Sequence, residues 1–178
     1  MNGLQRVAVS AYRVPHAARR PSCPAGIPHH VTQRGNRKYR TFFCDDDYAF
    51  YLALLRRGCH KAGTAVWAWC LMPNHVHLVL VPADKDGLRG ALAAAHTRYA
   101  WEINRREGWH GHLWQDRFAS FPMEDDHCHA CLRYVELNPV RARLAGRPED
   151  LALVERPRES RPGRRRPHRR CSDPGAGR

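Results

Sequence analysis

The stretch that decides the fold reads Thr64-Ala-Val-Trp-Ala-Trp-Cys-Leu-Met-Pro-Asn-His-Val-His-Leu-Val-Leu-Val81. Two runs of aliphatic and aromatic residues, 64–71 and 75–81, are typical of strands. A Pro-Asn pair separates them, and both residues favour tight turns. We therefore predict an antiparallel hairpin. Alternation divides the first run between two faces, with Val66, Ala68 and Cys70 on one and Trp67, Trp69 and Leu71 on the other.

The segments on either side of this hairpin predict further strands and helices. Residues 29–34 are typical of a strand, with Val31 and Gln33 on one face, and residues 112–123 of a strand or extended segment. Helical spacing and end signals predict three helices, Asp45 to about Lys61, Leu88 to about Arg106, and Asp125 to about Leu137, the last stopped near Pro139. The order β-α-β-β-α-β-α predicts an α+β fold, an antiparallel sheet with helices packed on it.

Composition indicates a single domain with a polyanionic partner. The chain has 178 residues and a net charge of +13, which favours nucleic acid. No apolar run approaches the roughly 20 residues of a membrane span, so we expect no membrane partner. No signal peptide is visible, so we expect a cytoplasmic protein, associated with the nucleoid through its nucleic-acid partner. We predict a flexible basic arm over 1–24, the domain over 25–150 and an Arg/Pro-rich, disordered tail over 151–178.

The His75-Val-His77 segment is a candidate metal site. Residues i and i+2 of a strand point to the same face, so both imidazoles project from one surface of the sheet. This spacing suits two ligands of one metal ion. On spacing alone, surface or packing histidines remain the alternative interpretation.

Tyr134 and Asn138 form a second candidate pair. They are four residues apart on the last predicted helix and therefore share a face. A tyrosine hydroxyl beside an amide oxygen fits a nucleophile next to a third metal ligand. The alternative is structural, with Tyr134 packing and Asn138 capping the helix before Pro139.

Four segments in order resemble the single-tyrosine HUH transposases, and most of all the REP-associated tyrosine transposases. They span about residues 26 to 150, and they read His30-Val-Thr-Gln-Arg-Gly-Asn36, Met72-Pro-Asn-His-Val-His-Leu-Val-Leu80, Gly111-His-Leu-Trp-Gln-Asp-Arg-Phe118 and Arg133-Tyr-Val-Glu-Leu-Asn-Pro-Val-Arg-Ala142.

The resemblance implies a ferredoxin-like fold and a strand-transfer chemistry. His75 and His77 would bind a divalent ion, Mg²⁺ or Mn²⁺, and Asn138 would complete the site. Tyr134 would attack single-stranded, hairpin-containing DNA and hold the cut end as a 5′-phosphotyrosine. A catalytically inactive hairpin-binding protein and an RNA or plasmid-replication nuclease of the same fold are the alternatives.

The same resemblance, with the basic and aromatic residue types, suggests the DNA contacts. We expect Tyr99 and Trp101 to lie in the core. A homodimer and a monomer are equally compatible with the sequence, as is an active site built from one chain or two. The expected DNA-binding residues are Arg34, Asn36, Arg37, Arg98, Arg105, Trp114, Gln115, Arg117 and Phe118.

Overall fold

The protein forms an α+β domain around one antiparallel sheet, as predicted. The computed structural model describes residues 8–11 and 26–141. The five strands lie in the order β1-β3-β4-β2-β5. In chain order they are β1 (Ala8–Ala11), β2 (His29–Arg34), β3 (Ala65–Met72), β4 (His75–Val81) and β5 (Ala119–Pro122).

Within the described residues, three α-helices connect or follow the strands, at the predicted places in the order. They are α1 (Asp45–Lys61), α2 (Gly87–Glu107) and α3 (Asp125–Arg141). The end of α3 differs from the prediction, because the helix continues past Pro139 to Arg141. A proline lacks one backbone donor but does not prevent the last turn of a helix from closing.

The predicted hairpin of β3 and β4 is confirmed, and its turn is tied to the next segment of chain. Met72 pairs with His75 across the turn. The carbonyl of Pro73 accepts hydrogen bonds from the backbone N–H groups of Thr41 and Phe42, at 2.8 and 3.1 Å. These bonds fix the start of β4, and therefore His75, against the loop that leaves β2.

A bulge in β3 changes one part of the predicted face assignment. The register shifts between Val66 and Ala68, so Val66 packs with the cluster on one face while Ala68 packs on the other. Trp67 also lies on the Ala68 side. Strict alternation predicts the reverse for Val66 and Trp67, because it has no extra residue in the strand.

Helices α1 and α2 cover one face of the sheet. Val31 and Leu78 from the sheet pack there against Tyr51 and Tyr99, and all four side chains are almost fully buried. The helices approach closely at Gly58, where an added Cβ would lie 2.1 Å from the carbonyl oxygen of Ala91.

An ion pair joins the two helices within this layer. Arg106 of α2 donates to both carboxylate oxygens of Asp47, at 2.5 and 3.0 Å, and both side chains are buried. Asp47 also accepts hydrogen bonds from the backbone N–H groups of Phe43 and Cys44. It therefore caps α1 and compensates the buried guanidinium.

Helix α3 lies on the opposite face and packs chiefly on β3. Ala68 and Val79 of the sheet contact Met123, Cys128 and Val135 in a second, smaller cluster. This face is the one that displays the candidate metal ligands.

The N-terminal prediction is corrected in one place. Residues Ala8–Ala11 form β1, which pairs antiparallel with β3, from Ala8 opposite Leu71 to Ala11 opposite Ala68. The other residues of the predicted 1–24 arm and the predicted 151–178 tail lie outside the described residues. No helix in the described part of the chain is long and apolar enough to cross a membrane.

Candidate active site

Two adjacent strands bring three histidines to the α3 face of the sheet. His75 and His77 project from β4 on the same side, as their spacing predicts, while Val76 between them is buried in the opposite cluster. Strand β2 pairs with β4 so that Thr32 lies opposite His77. His30, two residues from Thr32, therefore shares that face and lies diagonally next to His77.

The two β4 imidazoles are close together and electrically neutral. Their ring centroids are 4.9 Å apart and the rings are nearly perpendicular. Burial, together with the positive charge of Arg34, lowers the pKa of His75 to about 4. Burial, followed by the neighbouring His75, His30 and Arg34, lowers the pKa of His77 to about 3. Both rings thus offer the unprotonated form that a metal ion requires.

Hydrogen bonds orient both rings in the same sense. His75 Nδ1 lies 2.7 Å from the Oδ1 atom of Asn74, and His77 Nδ1 lies 3.0 Å from the Nε2 atom of His30. Each ring is held by Nδ1, which leaves Nε2 as the nitrogen for a ligand. The donor set therefore fits a shared divalent ion. Among the described residues, no three His, Cys, Asp or Glu side chains form a metal site by themselves.

Tyr134 stands beside this pair on α3 of the same chain. Its ring centroid lies 5.7 Å from that of His77 and 6.3 Å from that of His30, both edge to face. The side chain is 40% exposed. A cavity of about 360 Å³ opens next to it, lined also by His129, Ala130, Arg133 and Leu137. A substrate can therefore approach Tyr134 from solvent while the ring remains next to His77.

The predicted third ligand is placed by its backbone alone. Asn138 lies in α3, one turn beyond Tyr134, but its side chain is outside the described part of the structure. Its role as a ligand stays a prediction.

Sequence reasoning did not assign a role to His30, although the residue begins one of the recognised segments. The contact between His30 and His77 joins residues 47 positions apart. It depends on the register of β2 against β4, which the sequence does not fix. One feature of the sequence does point to His30. The spacing of His30, Thr32 and Arg34 places them on the face opposite the buried Val31 and Gln33.

The sequence matches a known protein family over most of the described domain. The family model described as "Transposase IS200 like" matches residues 27–138, which include the whole histidine and tyrosine cluster. The chain belongs to the IS200-like transposase family.

The chain is also similar to solved structures. One match is a REP-associated tyrosine transposase bound to a REP hairpin, with 17% sequence identity and a TM-score of 0.54, covering 77% of this chain and 80% of that chain. Another is a candidate transposase of Deinococcus radiodurans, with 17% identity and a TM-score of 0.48, covering 67% of this chain and 96% of that chain. No curated protein sequence matches the chain.

Three of the predicted DNA contacts of this transposase domain lie at the end of β2, near the histidines. Arg34 is exposed and pairs with His75 across the strands. Asn36 donates from its side chain to the carbonyl of His112 at 3.2 Å. Arg37 is exposed in a left-handed backbone conformation, with φ of 52°. The first and third present cations to solvent, whereas Asn36 holds the loop at 112.

The loop at 112–118 corrects one expected contact. Trp114 is buried, and its indole N–H donates to the carbonyl of His96 at 3.2 Å. Its ring also stacks on Tyr99, so it belongs to the core and is not available to stack on a base. Gln115 and Arg117 are exposed and Phe118 is half-buried.

Helix α2 corrects a second expectation. Tyr99 is in the core, as predicted, but Trp101 is 51% exposed. The guanidinium carbons of Arg98 and Arg105 lie 4.4 and 5.5 Å from the Trp101 ring centroid. The buried Glu102 carboxylate contacts both arginines. We call Arg98, Trp101 and Arg105 the α2 platform.

Proposed function

We propose that this chain cuts and rejoins single-stranded, hairpin-containing DNA through a covalent 5′-phosphotyrosine on Tyr134. The observation that carries this proposal is the placement of a solvent-accessible tyrosine 5.7 Å, centroid to centroid, from a neutral histidine of the same chain. Membership of the IS200-like transposase family supports the reaction class.

The reaction is a transfer of one phosphodiester bond. The phenolic oxygen of Tyr134 attacks the scissile phosphorus, a bond from tyrosine oxygen to phosphorus forms, and the bond to the 3′ oxygen breaks. The phenolic proton leaves to solvent and the 3′ oxygen takes up a proton, giving a free 3′-hydroxyl. A second 3′-hydroxyl then reverses the step on a new strand. Because the bond energy is kept, neither ATP nor a hydrolytic step is needed.

His75, His77 and Asn138 are the residues that would hold a divalent ion, for which we propose Mg²⁺ or Mn²⁺. When bound, such an ion would neutralise charge on the scissile phosphate and so assist attack by a phenol, which is a weak nucleophile at neutral pH. Two imidazoles alone would suit Zn²⁺. An amide oxygen and open positions for phosphate and water favour the harder ions.

The active site is proposed to form within one chain. Tyr134 adjoins His77, and His77 adjoins His75, within one copy of the chain. A monomer is therefore sufficient for cleavage, and a dimer would be needed only to bring two DNA ends together.

The DNA is proposed to cross two surfaces. Arg34, Arg37, Gln115 and Arg117 are exposed around the end of β2, where phosphates leading to the histidines would pass. The α2 platform adds an exposed indole between two guanidiniums, a combination that binds unpaired bases and backbone together. The solved relative holds a REP hairpin, and we propose a folded single strand as the substrate here. This function would place the protein with the chromosome in the cytoplasm.

The decisive experiment is an adduct assay on a denaturing gel. Labelled single-stranded hairpins are incubated with the protein and Mn²⁺ or Mg²⁺. We expect a shifted, protease-sensitive species that disappears with EDTA and with Tyr134→Phe. Tyr39→Phe is the matched control, because Tyr39 is the more exposed of the two tyrosines, at 62%, yet lies outside the cluster, and it should form the adduct normally.

Retained DNA binding without an adduct, across a panel of hairpins, would contradict the proposal. The chain would then be a catalytically inactive hairpin-binding protein. Cleavage of RNA or of a double-stranded plasmid origin in place of hairpins would instead identify a different nuclease of this fold.

A further inference from the structure

Each β4 histidine is held by a residue outside the predicted ligand set. Asn74 contacts His75, and His30 contacts His77, in both cases at the ring atom Nδ1. The two partners come from different places in the fold, the hairpin turn and the neighbouring strand. Both partners contact Nδ1, although they come from separate parts of the chain. A single local turn therefore cannot account for the shared orientation of the two rings.

The Asn74 amide determines which nitrogen of His75 carries the proton. Its Nδ2 atom donates to the carbonyl of Lys38 at 3.0 Å, so Oδ1 is the atom that faces the ring. An amide oxygen can only accept a hydrogen bond, and the proton must lie on His75 Nδ1. The lone pair of His75 is then on Nε2.

The contact between His30 and His77 has two possible proton arrangements, and only one leaves His77 able to bind a cation through Nε2. In that arrangement His77 Nδ1–H donates to Nε2 of His30, which acts as the acceptor. The rings are nearly parallel, at 15°, with centroids 5.2 Å apart. His30 also meets the edge of Tyr134, so one side chain contacts both a predicted ligand and the predicted nucleophile.

We propose that His30 and Asn74 are positioning residues, which hold His77 and His75 in the tautomer that presents Nε2 to a shared divalent cation. The inference rests on the proposed metal site. Partners of this kind orient a ligand ring and raise its basicity, and their loss typically weakens metal binding by about 10- to 100-fold.

The test measures Mn²⁺ affinity without DNA, from the free-Mn²⁺ signal in electron paramagnetic resonance. His30→Phe keeps a ring but removes the acceptor, and we expect Mn²⁺ to bind about tenfold more weakly or worse. His30→Gln restores an acceptor at similar reach and should bind Mn²⁺ nearly as the unaltered protein does. Asn74→Leu should resemble His30→Phe.

Two controls separate this role from folding. His29→Phe alters the neighbouring histidine, whose Nδ1 contacts the carbonyl of Ile27, and should leave the affinity unchanged. Thermal unfolding without metal, followed by circular dichroism, establishes that each variant folds.

Equal Mn²⁺ affinity in His30→Phe and the unaltered protein would overturn the inference. Equal losses in His30→Phe and His30→Gln would also overturn it, since packing and not the acceptor would then matter. A protein that binds no Mn²⁺ even unaltered would do the same. The adduct assay on Tyr134 is independent of these Mn²⁺ titrations. The proposed role of Tyr134 can therefore be contradicted while the positioning role of His30 and Asn74 holds, and the positioning role can be contradicted while the role of Tyr134 holds.

Discussion

On each side of the sheet a histidine lies next to a tyrosine, but the two pairs have opposite surroundings. On one side, Tyr51 of α1 has its hydroxyl 2.9 Å from Nε2 of His96 of α2, and Tyr51 is completely buried. On the α3 face, the rings of His77 and Tyr134 adjoin one another and Tyr134 is 40% exposed beside a cavity.

The difference in exposure distinguishes a pair with a structural role from a pair that a substrate can reach. Burial raises the pKa of Tyr51 far above its ordinary value and lowers the pKa of His96 to about 4. Both groups stay neutral and satisfy each other, and the tyrosine is fully buried. The same residue types on the open face have a cavity in which a phosphate could lie. Access, and not residue type, distinguishes the two sites.

The largest expected effect concerns the assembly of the open site. Tyr134→Phe and His77→Ala should each lose adduct formation completely. If one chain supplies both groups, a mixture of the two variants should remain inactive in the same gel assay. Recovery of activity on mixing would show that Tyr134 serves the metal site of a partner subunit.

On the packed face, the largest effect should be on stability. Asp47→Ala leaves the buried Arg106 guanidinium without its main partner, which we expect to lower the free energy of unfolding by about 3–5 kcal/mol. Urea denaturation measures it. Asp46→Ala, one residue earlier but exposed, is the matched control and should change the stability little. Similar losses in both variants would mean that the buried pair has no special role.

His96 predicts the pH dependence of stability. Its folded pKa of about 4 lies below the ordinary value of 6.5, so the unfolded chain takes up the proton first as the pH falls. Stability is therefore present above pH 6.5 and is lost towards pH 4, by up to about 1.4 kcal/mol per pH unit for one proton.

The variant His96→Gln tests that contribution, because glutamine can bond to Tyr51 without titrating. The slope of unfolding free energy against pH should decrease, and it should not vanish, since burial also lowers the pKa values of His75 and His77. The exposed His110 offers the control His110→Gln. An unchanged slope in His96→Gln would contradict the assignment.

The smallest expected effect is at the α2 platform. Trp101→Ala should weaken binding of hairpin DNA by about 1–3 kcal/mol, the value of one stacked base, without a change in stability. Fluorescence anisotropy measures this affinity. Trp109→Ala removes another exposed indole, one that contacts Phe43, and should have less effect. Unchanged affinity in Trp101→Ala would remove the platform from the DNA surface.

Local patterns predicted most of the sheet and helices. The 64–81 hairpin and the three helices could be predicted because period-two and helical spacing describe residues that are neighbours along the chain. The exposure of Trp101 could also have been predicted, since it lies two residues from the buried Tyr99 and therefore on another side of the helix. Its aromatic character suggested the core, and position was the better guide.

The remaining features depend on contacts that are distant in sequence. His30 reaches His77 only through the register of β2 and β4. Trp114 is buried because its segment bridges to Gly35 and reaches His96, in a region without periodicity. The β3 bulge and the added strand β1 are likewise set by pairing partners, and no local pattern encodes them.

The most direct test of the central claim is to identify the residue that carries the DNA. The trapped adduct is digested with trypsin, and the nucleotide-bearing peptide is sequenced by mass spectrometry. We expect a nucleotide joined through its 5′-phosphate to the peptide of residues 134–141, which begins with Tyr134 and contains no other tyrosine. Attachment to another tyrosine, such as the more exposed Tyr39, or through a 3′-phosphate, would contradict it.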